Sequence, residues 1–198
     1  MAKKSAKKTA AKEAEPMKLF YIFYNKERWD NWIRRLEDAS FEPAEGEEVS
    51  EGEQILYGFA EDLTLSVLKI IRLYQNGRLT KEEAIEKLND VEVLVMTGLP
   101  EGRLEDLVGS LQLSLIVLFT ACRKYLDGGF DTDIKTLVKK GKAIGDTNLD
   151  EALEIAANIG AAVIDGATCC AKYIKDDAEN LSLFDDWLIE IETMSNAM

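Results

Sequence analysis

Apolar side chains recur at helical spacing along most of this chain. In residues 25–39, Trp29, Trp32, Ile33 and Leu36 lie at i, i+3, i+4 and i+7, the spacing that gathers them on one face of a helix. The same periodicity predicts six further helices and no strand. Five of them cover residues 53–75, 103–126, 132–144, 149–175 (as one helix or as two pieces broken near Gly166) and 180–194. The other begins at a capping box formed by Thr80 and Glu83, between the first and second of these ranges.

The helix predicted at 103–126 is apolar nearly all round, so other helices must surround it. Its most apolar stretch, residues 107–122, is interrupted by Gly109, Ser110, Gln112 and Ser114. A membrane span needs about 18 uninterrupted apolar residues, so we interpret this segment as a buried core helix and expect no membrane contact. The sequence therefore predicts an all-α, single-domain bundle of about seven helices with a central hydrophobic helix.

Charge divides the chain into two parts. Residues 1–12 contain five lysines and no acidic residue, whereas the whole chain has a net charge of −13. Such a segment buries too little apolar surface to fold. We therefore predict a disordered basic tail over residues 1–16 and a helical-bundle domain over residues 17–198. The basic residues of the tail are Lys3, Lys4, Lys7, Lys8 and Lys12.

Composition narrows the classes of function. Histidine is absent, which removes the commonest general base and the commonest transition-metal ligand. The three cysteines, Cys122, Cys169 and Cys170, show no spacing typical of a disulfide framework. We therefore expect a cytoplasmic protein without a cofactor. Because the body is acidic, it repels phosphate, which argues against general nucleic-acid binding outside the tail.

One acidic turn resembles a calcium loop only in part. Asp146, Asn148 and Asp150 begin like an EF-hand, but Glu151 occupies the position of the required glycine and Ala157 that of the terminal glutamate. We interpret this segment as a turn that caps the following helix.

Aromatic residues are concentrated near the start of the predicted domain. Six of them lie within residues 20–32, and three arginines lie close by. Tryptophan, tyrosine and arginine are enriched in the energetic centres of protein interfaces. The pattern favours a partner-binding surface, and docking of the same helix onto its own bundle is the alternative explanation. The candidate partner-binding residues are Tyr24, Arg28, Trp29, Trp32 and Arg35.

Two other segments offer contacts of a less specific kind. Residues 152–171 are rich in alanine and glycine, which permits close helix packing within the chain or, alternatively, a homodimer through this helix. The lysine tail has no arginine or aromatic residue beside its lysines. It therefore predicts at most weak, sequence-independent contact with RNA.

The sequence from Phe23 to Leu36, FYNKERWDNWIRRL, resembles the opening of an archaeal family classed as a domain of unknown function. Its members from haloarchaea and methanogens begin with a similar F-Y-x-x-E-R-W-x-N-W helix, followed by an acidic loop and a long helix. The likeness covers residues 21–126 or, alternatively, most of the predicted domain, and it does not include the lysine tail. It implies an archaeal cytosol, and it brings no activity, cofactor or site residue to this chain.

These observations favour a non-enzymatic helical module that binds another protein through its aromatic- and arginine-rich N-terminal helix. The alternative is an RNA- or ribosome-associated accessory factor that uses the lysine tail. A third hypothesis is a histidine-free enzyme acting on a small molecule, although the sequence holds no complete catalytic or cofactor motif.

Overall fold

The chain folds into a bundle of α-helices, as the periodicity predicts. A computed structural model describes residues 23–168, Tyr173 and residues 181–198. Within this part of the chain there are seven α-helices, a short 3₁₀ turn at Gly145–Thr147 and no strand. The helices are α1 (Lys26–Asp38), α2 (Glu51–Gln75), α3 (Lys81–Thr97), α4 (Glu105–Asp127), α5 (Ile134–Ile144), α6 (Leu149–Ile164) and α7 (Leu183–Ala197).

Polar side chains set the start of several helices. Thr80 and Glu83 form the predicted capping box of α3, in which each side chain accepts the backbone N–H of the other residue. Ser50 and Glu53 form a second capping box at α2, so this helix begins two residues earlier than its apolar periodicity predicts. Asn148 caps α6 by accepting a backbone N–H of the first turn, which confirms the interpretation of that segment as a capping turn.

The end of α6 excludes one continuous helix over residues 149–175, which is one of the two possibilities that the sequence left open. Its last helical residue is Ile164, and Gly166 follows with a φ of +100°. A right-handed α-helix needs a negative φ at every residue, so α6 cannot continue through Gly166. Glycine adopts the left-handed conformation more readily than other residues do. Cys169 and Cys170, on its predicted continuation, lie outside the described residues.

The central helix of the bundle is α4, as its apolar surface predicts. It packs against α2, α3, α6 and α7, and its side chains Leu115, Leu118 and Phe119 are fully buried. By length and composition it is also apolar enough to cross a membrane, alone among the helices of the described segments. The core helix of a bundle meets the same criterion, and contact with four neighbouring helices buries most of the large apolar side chains of α4, with Leu113 left exposed.

The small residues of α6 pack within the protein itself. This helix contacts α4, α5 and α7, and a Cβ atom at Gly160 would lie 2.6 Å from the Cβ of Ala121 on α4. Only glycine permits so close an approach. The protein's own helices therefore cover the small-residue face between Ala152 and Ile164, while a homodimer through this helix stays a prediction. The buried alanines are Ala152, Ala156, Ala157, Ala161 and Ala162.

One carboxyl group lies between two helices without a cation. Glu190 on α7 accepts a hydrogen bond at 3.1 Å from the Thr64 hydroxyl on α2, and no ion pair joins it to another residue of the described ranges. Burial raises the pKa of Glu190, and the hydrogen bond from Thr64 opposes that shift.

Replacing Glu190 by glutamine is expected to stabilise the protein near neutral pH. Because its pKa is raised on folding, the carboxyl group favours the folded state at low pH, and this contribution is lost as the pH rises through the raised pKa. Glutamine carries no charge and should stabilise by about 1 kcal/mol, or roughly 2–4 °C in Tm. Melting curves from about pH 4 to about pH 8 measure the difference. A difference in melting temperature between the variant and the wild type that shrinks with rising pH would contradict the raised pKa of Glu190.

Candidate interaction groove

The site is built on the contact between α1 and α2. Trp29 on α1 is only 4% exposed, and its ring meets that of Phe59 on α2 edge-on at a centroid distance of 5.1 Å. A Cβ atom at Gly98, just after α3, would lie 2.7 Å from the Trp29 ring, so glycine at this position leaves room for the indole. Among the candidate partner-binding residues, Trp29 is therefore covered by the protein's own core.

Trp32 lies nearly one turn further along α1 and is half-buried. It stacks on Phe59 with a centroid distance of 5.5 Å and an interplanar angle of 13°. The guanidinium of Arg35 lies over the indole, 4.4 Å from its centroid. A cation above an aromatic ring is attracted by the π electrons. Trp32 is thus held against the core while part of its surface stays accessible.

Asp62 on α2 connects two of these side chains. Its Oδ2 accepts a hydrogen bond from Trp32 Nε1 and another from Arg28 Nε, both at 2.8 Å, while its Oδ1 accepts from Arg28 Nη2. Two parallel charge-assisted hydrogen bonds fix the relative orientation of an arginine and a carboxylate. Arg28 therefore serves to orient α1 on α2, although its side chain is partly exposed.

Tyr24 precedes α1 and is buried beside the same arginine. The Arg28 guanidinium lies 5.1 Å from the centre of its ring. Burial raises the pKa of the Tyr24 hydroxyl, the nearby charge of Asp62 adds to the shift, and Arg28 opposes it. Tyr24, Arg28 and Trp29 thus belong mainly to the docking of α1, whereas Trp32 and Arg35 face an open surface.

A groove of about 510 Å³ opens between α1 and the N-terminal half of α2. Its size falls within the range of ligand-binding clefts, and its lining offers aromatic, cationic, anionic and amide groups. Gly58 leaves space for Trp32, since a Cβ atom there would already touch the indole at 3.4 Å. The lining includes Trp32, Arg35 and Asp38 from α1, and Glu51, Gln54 and Gly58 from α2.

The sequence pattern does not predict the α2 side of this groove, because it lies on a different helix. Asp62 and Trp32 are 30 residues apart, and apolar periodicity carries no information on which polar residues meet across helices. Gly58 is the one signal that the sequence offers, since a glycine inside a helix often marks a close approach.

The loop between α1 and α2 is fixed at both ends. Arg103, which precedes α4, donates hydrogen bonds to the backbone carbonyls of Leu36 at 3.0 Å and Ala39 at 3.2 Å. Carbonyls at the end of a helix lack a partner within that helix, so Arg103 caps α1. At the other end, the Phe41 ring packs on Gly52, where a Cβ atom would lie 2.6 Å from the ring.

The remaining candidates from the sequence add no chemistry to this groove. The tail lysines Lys3, Lys4, Lys7, Lys8 and Lys12 lie outside the described residues. Cys122 is buried in the core, and this burial raises the pKa of its thiol, which disfavours the reactive thiolate. Within the described ranges, no group of three or more acidic or cysteine side chains is placed to hold a metal ion.

Comparison with known proteins identifies a family. Residues 22–198 match the model of DUF2150, which is described as an uncharacterized protein conserved in archaea. The chain belongs to this family. The match confirms the resemblance to an archaeal family, and the DUF2150 region includes the whole α1–α2 groove but not the lysine tail. No curated protein and no solved structure matches the chain.

Proposed function

We propose that this DUF2150 protein is a non-enzymatic interaction module that binds a segment of another protein in the α1–α2 groove, in the cytoplasm. The observation that carries this proposal is Trp32, which is fixed by Phe59 and Asp62 and lies beneath Arg35 at an open surface. Tryptophan and arginine dominate the binding energy of many protein interfaces. A ring that is already held in place loses little conformational entropy on binding.

The groove also favours a particular kind of partner segment. An apolar or aromatic side chain of the partner would cover the accessible part of Trp32. Asp38 and Glu51 stand at the rim of the groove, are exposed, and would attract a cationic side chain beside it. Gln54 adds an amide that both donates and accepts hydrogen bonds. A basic segment with an apolar anchor therefore fits the groove best.

Replacing both Asp38 and Gln54 by alanine is expected to weaken partner binding at least about tenfold, equivalent to about 1.4 kcal/mol, because a basic partner segment loses a carboxylate and an amide. The melting temperature is expected to stay close to that of the wild type. Both side chains are exposed, so their loss removes contacts without opening the core. Affinity purification from native cells with isotope-labelled quantification measures the effect.

Lys69→Ala is the matched control for this experiment. Lys69 is also exposed on α2, but it lies fifteen residues beyond Gln54, about 22 Å along the helix. A partner lost to the same extent from both variants, or retained by both, would contradict the proposal. Nuclease treatment of the extract tests the RNA-associated alternative, because a partner that disappears with nuclease and with deletion of residues 2–12 would favour that function instead.

A further inference from the structure

Both faces of the Trp32 ring are covered in the free protein. One face stacks on the Phe59 ring at a centroid distance of 5.5 Å, and the guanidinium carbon of Arg35 lies 4.4 Å from the centroid of the indole. Phe59 is fully buried whereas Arg35 is exposed, so the two side chains lie on opposite faces of the ring. The indole face on the solvent side is therefore covered by a residue of α1 itself.

The ring cannot turn away from these two neighbours. Its Nε1 donates a hydrogen bond at 2.8 Å to Asp62, and a Cβ atom at Gly58 would stand 3.4 Å from its outer edge. Phe59 belongs to the core, whereas Arg35 is the exposed member of these contacts. Access to the outer face of Trp32 therefore depends on the conformation of Arg35.

Arg35 is held over the indole only weakly. No ion pair joins it to a carboxylate in the part of the chain that the structure describes. At an exposed site, the attraction between a cation and an aromatic ring favours the closed arrangement about two- to fivefold. Exposed side chains also change rotamer rapidly. Arg35 can therefore leave the ring at a small cost in affinity for whatever replaces it.

The charge of Arg35 also opposes the segment that fits the groove best. That segment is basic and is attracted by the carboxylates of Asp38 and Glu51, which line the same groove as Arg35. Like charges within one groove repel one another. While it lies over the ring, Arg35 therefore acts against a partner in two ways, by covering the indole and by repelling the partner's cations.

We propose that Arg35 is an autoinhibitory gate of the α1–α2 groove, which covers the outer face of Trp32 until the anchor of a partner segment displaces it. The partner's role rests on the proposed function of the groove, whereas the closed contact belongs to the free protein and does not. The gate selects among segments. An anchor that packs on the indole offsets the lost contact of Arg35, whereas a cationic segment that binds by charge alone leaves the gate closed.

Acrylamide quenching of tryptophan fluorescence tests the gate in the free protein. The chain has three tryptophans, and because Trp29 and Trp187 are only 4% and 2% exposed, this neutral quencher reports mainly on Trp32. For Arg35→Ala we expect the quenching constant to rise at least about twofold, since the closed contact that it removes is favoured two- to fivefold. An unchanged quenching constant would overturn the gate.

Arg34→Ala is the matched control for this measurement. Arg34 is also exposed on α1, but its guanidinium donates a hydrogen bond at 3.2 Å to the side chain of Asn31. Its loss lowers the charge of α1 by the same amount and should leave the quenching constant at the wild-type value. An equal rise in both variants would indicate a general loosening of α1 and would overturn the gate.

Two further variants of Arg35 test the cation itself. Arg35→Lys keeps the charge, and its quenching constant should stay close to that of the wild type. Arg35→Gln loses the charge and should behave like Arg35→Ala, because the attraction to the ring depends on the cation. Equal quenching constants for the lysine and glutamine variants would overturn a gate that is closed by this attraction.

Partner capture separates the gate from the function of the groove. At limiting amounts of bait, Arg35→Ala should retain about two- to fivefold more partner than the wild type, and Arg34→Ala should retain the wild-type amount. Reduced capture by Arg35→Ala would overturn the gate and make Arg35 a partner contact. The expected quenching without any groove partner would leave the closed contact standing and overturn the groove function, whereas a groove partner with unchanged quenching would do the reverse.

Discussion

Replacing Trp29 by alanine is expected to lower the free energy of unfolding by about 3–5 kcal/mol. The indole is almost completely buried between Phe59 of α2 and Gly98 at the end of α3. Alanine would leave a cavity at this three-helix contact, because the neighbouring backbone cannot close over the lost volume. Domains of ordinary stability unfold at about 5–15 kcal/mol, so the change removes a large share of the total. Urea denaturation followed by circular dichroism measures it.

Trp32→Ala is the matched control, and we expect a smaller loss of about 1–2 kcal/mol. The half-buried indole has less apolar surface to lose, although it shares Phe59 with Trp29. The two substitutions should therefore not be additive, since each changes the surroundings of the same phenylalanine. A Trp29→Ala variant with unchanged stability and no partner binding would instead place Trp29 at the interface. This is the partner-binding surface that the sequence pattern favours.

Replacing Gly160 by alanine is expected to destabilise the protein by about 1–3 kcal/mol. In an ordinary helix the same change stabilises by roughly 0.5–1 kcal/mol, because glycine loses more backbone entropy on folding. Here the new methyl group would stand 2.6 Å from the Cβ atom of Ala121. Neither atom can rotate away, since each is bonded directly to its backbone, so α6 has to move away from α4.

Gly109→Ala is expected to change the stability of the protein in the opposite direction. Gly109 lies on α4, and the nearest atom to a Cβ there is Leu99 Cδ1 at 3.9 Å, an ordinary contact. This variant should therefore be stabilised by the usual amount, roughly 0.5–1 kcal/mol. Thermal melts of the two variants report the sign directly. If Gly160→Ala proved as stable as Gly109→Ala, the close approach of α4 and α6 would be refuted.

The helical architecture was accessible from the sequence because it depends on local patterns. The all-round apolar surface of α4 predicts a central helix, and Thr80 with Glu83 predicts the start of α3. The start of α2 was less accurate, because the Ser50 capping box lies ahead of the apolar periodicity. A break near Gly166 was one of two possibilities, and the positive φ of this glycine shows that α6 ends there. Local patterns thus predict which segments are helical more reliably than where they end.

The candidate site could be predicted only in part from the sequence, because its contacts join distant parts of the chain. Periodicity places Trp29 and Trp32 on one face of α1, but it does not reveal which of the two the bundle covers. Both indoles contact Phe59 of α2, so that difference depends on Gly98 after α3, which lies against Trp29. The orientation of α1 depends on Asp62 and Arg103. Each of these residues meets α1 only after folding, so no local spacing marks it.

Photo-cross-linking at the groove tests the proposed interaction surface most directly. A photoreactive phenylalanine analogue replaces Gln54 in one strain of the native organism and Lys69 in another, since both positions are exposed on α2 and only Gln54 lines the groove. We expect one defined protein to be captured from position 54 and little or none of it from position 69. Capture of the same proteins from both positions, or from position 69 alone, would contradict a partner bound in the α1–α2 groove.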